Sequence, residues 1–205
     1  MDISLPNVIA LTLQHLYLSI LGTLAGAILG FAGAIWIRHR PRWATLLIGI
    51  AEVIQTIPGI ALLAFLLLAF GLGDTTLVIG LGLYAILPML QNTYEGLLNV
   101  DPVYLSIGKG MGMTSGQIFR QIELPLAFPL ILAGLRLALV TSIGVATIGV
   151  FVGADGLGVL IYRGLQLIDV QTMLAGAIPA ALLAILVEVV LSLFERRLSR
   201  TASAR

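Results

Sequence analysis

The chain of 205 residues contains no cysteine, which excludes disulfides, zinc thiolate sites and thiol nucleophiles together. It has two histidines, His15 and His39, too few for a histidine-rich metal site. Charge is scarce as well: 10% of residues are Asp, Glu, Lys or Arg, against 59% hydrophobic. A soluble domain of this size has no use for so much apolar surface, because water would face much of it. Two signatures of chemistry are also missing. The only Gly-Lys pair, Gly108-Lys109, is followed by Gly110 instead of Ser or Thr, and Val103 stands where a phosphate-binding loop needs glycine. Neither a His-Glu-x-x-His pair nor a glycine-framed serine nucleophile occurs. Any ATP must therefore be bound by another polypeptide, no metal site is expected, and nothing points to a nucleic-acid partner. The N-terminal MDISLPNVIALTLQH lacks a basic stretch and a small-residue cleavage site, so its first apolar segment is expected to be retained.

What is present is length of apolar run. Five segments reach the roughly 18 to 20 residues needed to cross a bilayer: about Val8 to Ile37, Trp43 to Phe70, Thr76 to Leu98, Leu124 to Val152 and Val170 to Phe194. The expected class is an all-α integral membrane protein in one domain, 1–205. Basic residues then orient it. Arg38, Arg40 and Arg42 follow the first span, Lys109 and Arg120 the third, and Arg196, Arg197, Arg200 and Arg205 the fifth, whereas the alternate loops hold Arg163 alone. By the positive-inside rule the N-terminus lies outside and the C-terminus in the cytoplasm of a multi-pass cell-membrane protein.

Within the spans, Gly22, Gly26 and Gly30 recur every four residues and give the first helix one face for close packing. Pro58 and Pro179 fall inside spans two and five, where each removes a helical hydrogen bond and should bend the helix. Arg136 lies in span four, about 16 Å beyond Pro125 at 1.5 Å per residue, and burying such a group costs about 3 kcal/mol on insertion scales. Glu52, at comparable depth in span two, is its expected partner, with pathway carbonyls and polar groups as the alternative. Glu95 and Glu188 read as solvated residues near the cytoplasmic ends of their spans.

The stretch SIGKGMGMTSGQIFRQIELP, 106–125, interrupts this apolar pattern. Asp101-Pro102 fits a helix start, with Asp101 as cap and Pro102 in the first turn. Val103, Ile107, Met111, Ile118 and Ile122 then supply an intermittent apolar face, as in short helices that lie on a membrane or dock into a partner's groove. Pro125 is expected to hold Leu124 extended, so that the chain turns back into the membrane there.

These residues carry a resemblance. Gly112, nine residues, and Ile122-Glu123-Leu124-Pro125 are similar to the cytoplasmic loop motif of ABC importer permeases, whose coupling helix fits a cleft on the ATP-hydrolysing subunit. The resemblance implies an ATPase-coupling role for Ser106, Ile107, Gly108, Lys109, Gly110, Met111, Gly112, Met113, Gln117, Ile122, Leu124 and Pro125. Where that family commonly shows Glu-Ala-Ala, this chain has Ser106-Ile107-Gly108, so the usual acidic contact is missing. The runs IQTIPGIALLAFLL, LYAILPMLQNTYEGL, ELPLAFPLILAGLRLALV and GVFVGADGLGVLIYRGL resemble permeases of osmoprotectant importers, which take up glycine betaine, carnitine, choline and related quaternary amines. That subfamily implies a five-transmembrane-helix core with a coupling loop at 101–123. It also implies a second permease chain, an extracytoplasmic substrate-binding protein, and ATPase subunits that hold ATP and Mg.

The segment GADGLG after span four breaks the helix, and irregular backbone in a membrane is tolerated only where protein or water covers it. By resemblance it is the external mouth, making Gly153, Asp155, Gly156 and Gly158 gate candidates beside Glu52, Pro58 and Arg136; a simple surface turn is the alternative. Aromatics make up 7% of the chain and form no concentrated cage for a trimethylammonium group, which agrees with selectivity residing mainly in a partner. Because the coupling motif is shared across substrates, amino acids or another small zwitterion remain a second cargo class. A partner-independent channel or secondary transporter would need coupling-ion residues, for which Arg136 and Glu52 are the sole candidates.

Overall fold

The computed structural model describes the backbone of residues 5–203 and the side chains of residues 5–195, so the side chains of Arg196, Arg197, Arg200 and Arg205 lie outside the described residues. Among the described residues there is no strand. Helix α1 (Leu5–Ile37) is followed by α2 (Pro41–Thr56), α3 (Gly59–Phe70), α4 (Asp74–Leu98), the short α5 (Pro102–Gly110) and α6 (Ser115–Ile118), then α7 (Leu124–Ala146), α8 (Leu157–Leu167) and α9 (Val170–Ser203).

Four of these stretches are long and apolar enough to cross a membrane: Leu5–Ile37, Asp74–Leu98, Ser115–Val152 and Val170–Glu195. The second expected span is α2 and α3, which meet at 98° across Ile57-Pro58. Pro58 carries no N–H to continue the ladder of α2, and it caps α3 instead, its carbonyl accepting from Ala61 and Leu62. Pro179, by contrast, is absorbed within α9, which continues as one helix.

The glycine face of α1 seats α4. A Cβ on Gly26 would fall on the carbonyl of Gly82, and one on Gly30 would lie 2.7 Å from the carbonyl of Ile86. The two backbones touch, which in a bilayer supplies the dispersion contact that lipid exclusion cannot. Helix α7 completes this core, where Ala27, Met89, Leu97, Ala127 and Ile131 pack together. At the other end Leu11 meets Leu157, Leu160 and Ala180, so that α8 and α9 form a hairpin against the start of α1. The far faces of α2, α3 and α9 carry exposed Leu46, Ile50, Phe65, Leu68, Leu182 and Leu186. Trp36 and Trp43 stack edge-on at 5.5 Å where α1 passes to α2, with Arg40 4.6 Å above Trp36, the aromatic and basic pattern of a membrane–water boundary.

One local expectation fails. Leu124 is helical, at φ −64° and ψ −46°, although Pro125 follows it. The chain accommodates the proline with a turn of π-helix, Phe119–Glu123, in which the amide of Leu124 reaches back to the carbonyl of Phe119. The wider turn avoids the clash that the pre-proline rule anticipates, and the helix runs on from Ser115 through the proline into α7.

Candidate functional site

Two places stand out: the segment joining α4 to α7, and a polar niche inside the bundle. Asp101 caps α5, its Oδ1 accepting from the amide of Val103 at 2.8 Å. The helix stops at Gly112, whose φ of +78° suits glycine. Its amide donates to Lys109 and that of Met113 to Gly108, each at 3.0 Å, the paired bonds of a Schellman ending. Thr114 then opens α6 with a capping box to Gln117. Gly108 is buried because a Cβ there would lie 2.8 Å from Ile122 Cδ1, so the lack of a side chain lets α5 rest on the π-turn. Val103, Tyr104, Ile107 and Met111 are left exposed, while Ser106 only returns its hydroxyl to the carbonyl of Pro102. Lys109, Gly110 and Gln117 are exposed as well, and Met113 is half-buried. The substituted triplet therefore splits: Gly108 is an internal contact, and Ile107 faces outward.

The root of this segment is tied to α1. Arg38 lies 4.1 Å over the ring of Phe119 and its Nη1 is 3.5 Å from Oε2 of the buried Glu123. Neither of those two atoms has another hydrogen-bond partner, so each is the other's compensation. In the sequence alone Arg38 is only a loop charge, and Glu123 only a letter of the Leu-Pro motif.

The niche arises where two prolines interrupt neighbouring helices. Pro88, inside α4, has no N–H for the carbonyl of Tyr84, and Gln55 of α2 supplies the missing donor from Nε2 at 2.9 Å. Reciprocally, the hydroxyl of Tyr84 donates to the carbonyl of Ile57 at the α2–α3 break. Asn92 donates to the carbonyl of Pro88 at 2.8 Å. Beside this exchange lies a cavity of about 180 Å³ lined by Gln55, Pro88, Gln91, Asn92, Leu137 and Thr141, from α2, α4 and α7. The amide nitrogens of Gln55 and Asn92 each give one N–H to a backbone carbonyl, which fixes the orientation of both side chains, and Gln91 and Thr141 add further polar groups to the lining.

No sequence signal singles out the niche residues; the clue is a proline and a glutamine whose bonding needs match only once α2 and α4 are side by side. Arg136, on α7 next to Leu137, is neutralised from α9: it pairs with Glu188, and its Nε lies 3.1 Å from Glu195 Oε2. The expected partner Glu52 is instead exposed on α2. Glu188 likewise is an ion-pair member instead of a merely solvated residue. Glu95, by contrast, is exposed in the last turn of α4.

At the opposite end, α7 tightens into a 3₁₀ stretch, Thr147–Val152, and ends at Gly153 with φ +75°. Gly156 has φ +143°, and a Cβ on Gly158 would overlap the carbonyl of Thr147, so both glycines are required by geometry. Asp155 is exposed. Among the described residues no cluster of His, Asp and Glu could hold a metal ion.

The chain as a whole is similar to known proteins. Residues 22–200 match the family described as the binding-protein-dependent transport system inner membrane component. The carnitine transport permease protein OpuCD of Listeria monocytogenes is 48% identical over 94% of this chain and 86% of its own length. The glycine betaine/carnitine/choline transport system permease protein OpuCD of Bacillus subtilis is 46% identical over 91% and 82%. A chain of the inward-facing MetNI methionine ABC transporter superposes with a TM-score of 0.84 at 20% identity, over 95% of this chain and 99% of that one, a likeness of fold. With five expected spans, a capped polar segment between the third and fourth, and a matching profile from Gly22 onward, the chain belongs to the family of binding-protein-dependent transport system inner membrane components.

Proposed function

We propose that the chain is the permease subunit of an ATP-driven importer of quaternary-amine osmoprotectants: glycine betaine, carnitine and choline. The observation that carries this reading is the identity with permeases named for those substrates, sustained along nearly the whole of both chains. The segment α5–α6 is the surface for a partner ATPase, which binds ATP and Mg. Its exposed Val103, Tyr104, Ile107 and Met111 suit a hydrophobic cleft, and Arg38 with Glu123 passes its displacement to α1. A second permease chain, identical or homologous, covers part of the apolar surface of the bundle, and an external binding protein delivers substrate at 153–158. The N-terminus is outside and the C-terminus cytoplasmic.

Transport follows from alternating access about the niche. Its polarity comes from the uncharged side chains of Gln55, Gln91, Asn92 and Thr141, whose dipoles attract a trimethylammonium group weakly enough to release it. Among the described residues that line it none is charged, while the Arg136 pair to α9 holds α7 upright beside it. In the cysteine-free chain, Gln117→Cys should crosslink to the ATPase of the purified assembly and resist impermeant thiol reagents added outside cells. Labelling from outside would overturn the orientation, and a correctly folded chain that never crosslinks would overturn the docking surface.

A further inference from the structure

Two consecutive residues of α1, Gln14 and His15, hold the segment 153–158 from both sides. His15 is buried in the bundle, and its Nε2 lies 3.0 Å from the carbonyl of Ile143 on α7. A carbonyl only accepts, so Nε2 carries the proton. The acceptor is free because α7 changes pitch just there: the amide of Thr147, which an α-helix would direct to Ile143, bonds Gly144 instead. His15 thus supplies the donor that the α-to-3₁₀ transition removes. Its other ring nitrogen, Nδ1, is buried without a hydrogen-bond partner and lies against Gly156, where an added Cβ would sit 3.0 Å from it.

Gln14 works through α4. Its Nε2 donates to Asp74 Oδ2 at 2.9 Å, and the other oxygen of Asp74 accepts from the backbone amide of Asp155 at 3.2 Å. Next to it the amide of Gly73 donates to the carbonyl of Val152 at 2.7 Å. The start of α4, the end of the 3₁₀ stretch and α1 are thereby joined around a segment whose own backbone is irregular.

We infer that Gln14, His15 and Asp74 form a clasp that holds the 153–158 segment closed over the bundle, and that substrate entry requires it to open. The three are positioning residues. The orphaned Nδ1 fits this role, since a buried acceptor left without a donor raises the free energy of the closed arrangement and keeps opening within reach. The inference rests on the reading of 153–158 as the external mouth.

The test uses the complete transporter in lipid vesicles, with Ala154→Cys as the one thiol in this chain; Ala154 is buried in the closed arrangement. The rate of modification by a membrane-impermeant thiol reagent reports opening. His15→Leu, His15→Asn and Asp74→Ala should each label about tenfold faster than the parent. His15→Gln, whose amide nitrogen reaches to the place of Nε2 and which lacks the orphaned Nδ1, should label no faster than the parent. Retention of the ATPase on purification shows that each variant is assembled, and Asp74→Ala carries the test if the His15 variants do not assemble. Equal rates across the series, or no rescue by glutamine, would overturn the clasp. Labelling only from the other side of the membrane would overturn the orientation, and the order of rates among the variants would still decide for or against the clasp.

Discussion

Replacing Gln55 with leucine removes one donor and keeps nearly the same volume. The carbonyl of Tyr84 then has neither the amide that Pro88 lacks nor the side chain that replaces it at 2.9 Å. A buried acceptor without a partner costs about 1–3 kcal/mol. For a chain of this size that corresponds to a fall of about 2–12 °C in the melting temperature of the purified protein. The effect has a specific antidote. In a Pro88→Ala background, residue 88 regains an N–H aimed at the same carbonyl, so Gln55→Leu should become nearly neutral there. The two substitutions should couple by at least about 1 kcal/mol in a double-mutant cycle read by thermal or denaturant unfolding in mild detergent. If Gln55→Leu costs the same with alanine at position 88 as with proline, the two breaks do not satisfy each other and the account of the niche is wrong.

Three further outcomes are expected. Arg136→Glu should abolish uptake by placing a third carboxylate beside Glu188 and Glu195, and Glu188→Arg in the same chain should restore part of it, whereas Glu52→Arg should not. Gly26→Leu should prevent α1 from seating on α4 and cost more than the roughly 1–3 kcal/mol typical of overpacking, since the new side chain meets backbone; recovery of folded protein from the membrane reads this directly. Asp169 caps α9 through Thr172 and Gln171, and these bonds, led by the Thr172 hydroxyl, hold its carboxyl below the usual range. A lowered value means the cap is fully formed above the unfolded-state pKa and lost only as pH falls through the folded one. Melting curves of wild type and Asp169→Ala should therefore converge only below the ordinary carboxylate midpoint.

How much of this is legible in the sequence depends on the range of the signal. The four long apolar helical stretches, the α1 glycine face, the Asp101 cap and the break at Pro58 are local: apolar run length, a four-residue repeat, or a proline's missing N–H. The turn at Leu124 misleads because the pre-proline rule describes one residue, and a π-turn resolves the same clash by widening several. Arg136 is a visible problem with an invisible solution. Depth along a helix points to Glu52, but partner choice depends on which helix stands beside α7, and the one that supplies the carboxylates is α9. Gln55, Gln91, Asn92 and Thr141 are spread across three spans with no spacing that links them. Gln14 and His15 look like ordinary polar residues near the start of an apolar helix until Asp74 and Ile143 are brought against them.

The most direct measurement is uptake of radiolabelled carnitine into vesicles holding this chain with its partner permease, ATPase and binding protein. The expected result is accumulation that needs internal ATP and external binding protein, is competed by glycine betaine and choline, and disappears when α5 is unseated by Gly108→Leu. Uptake by this chain alone, indifferent to ATP, or an assembled transporter that carries none of these amines, would contradict the account.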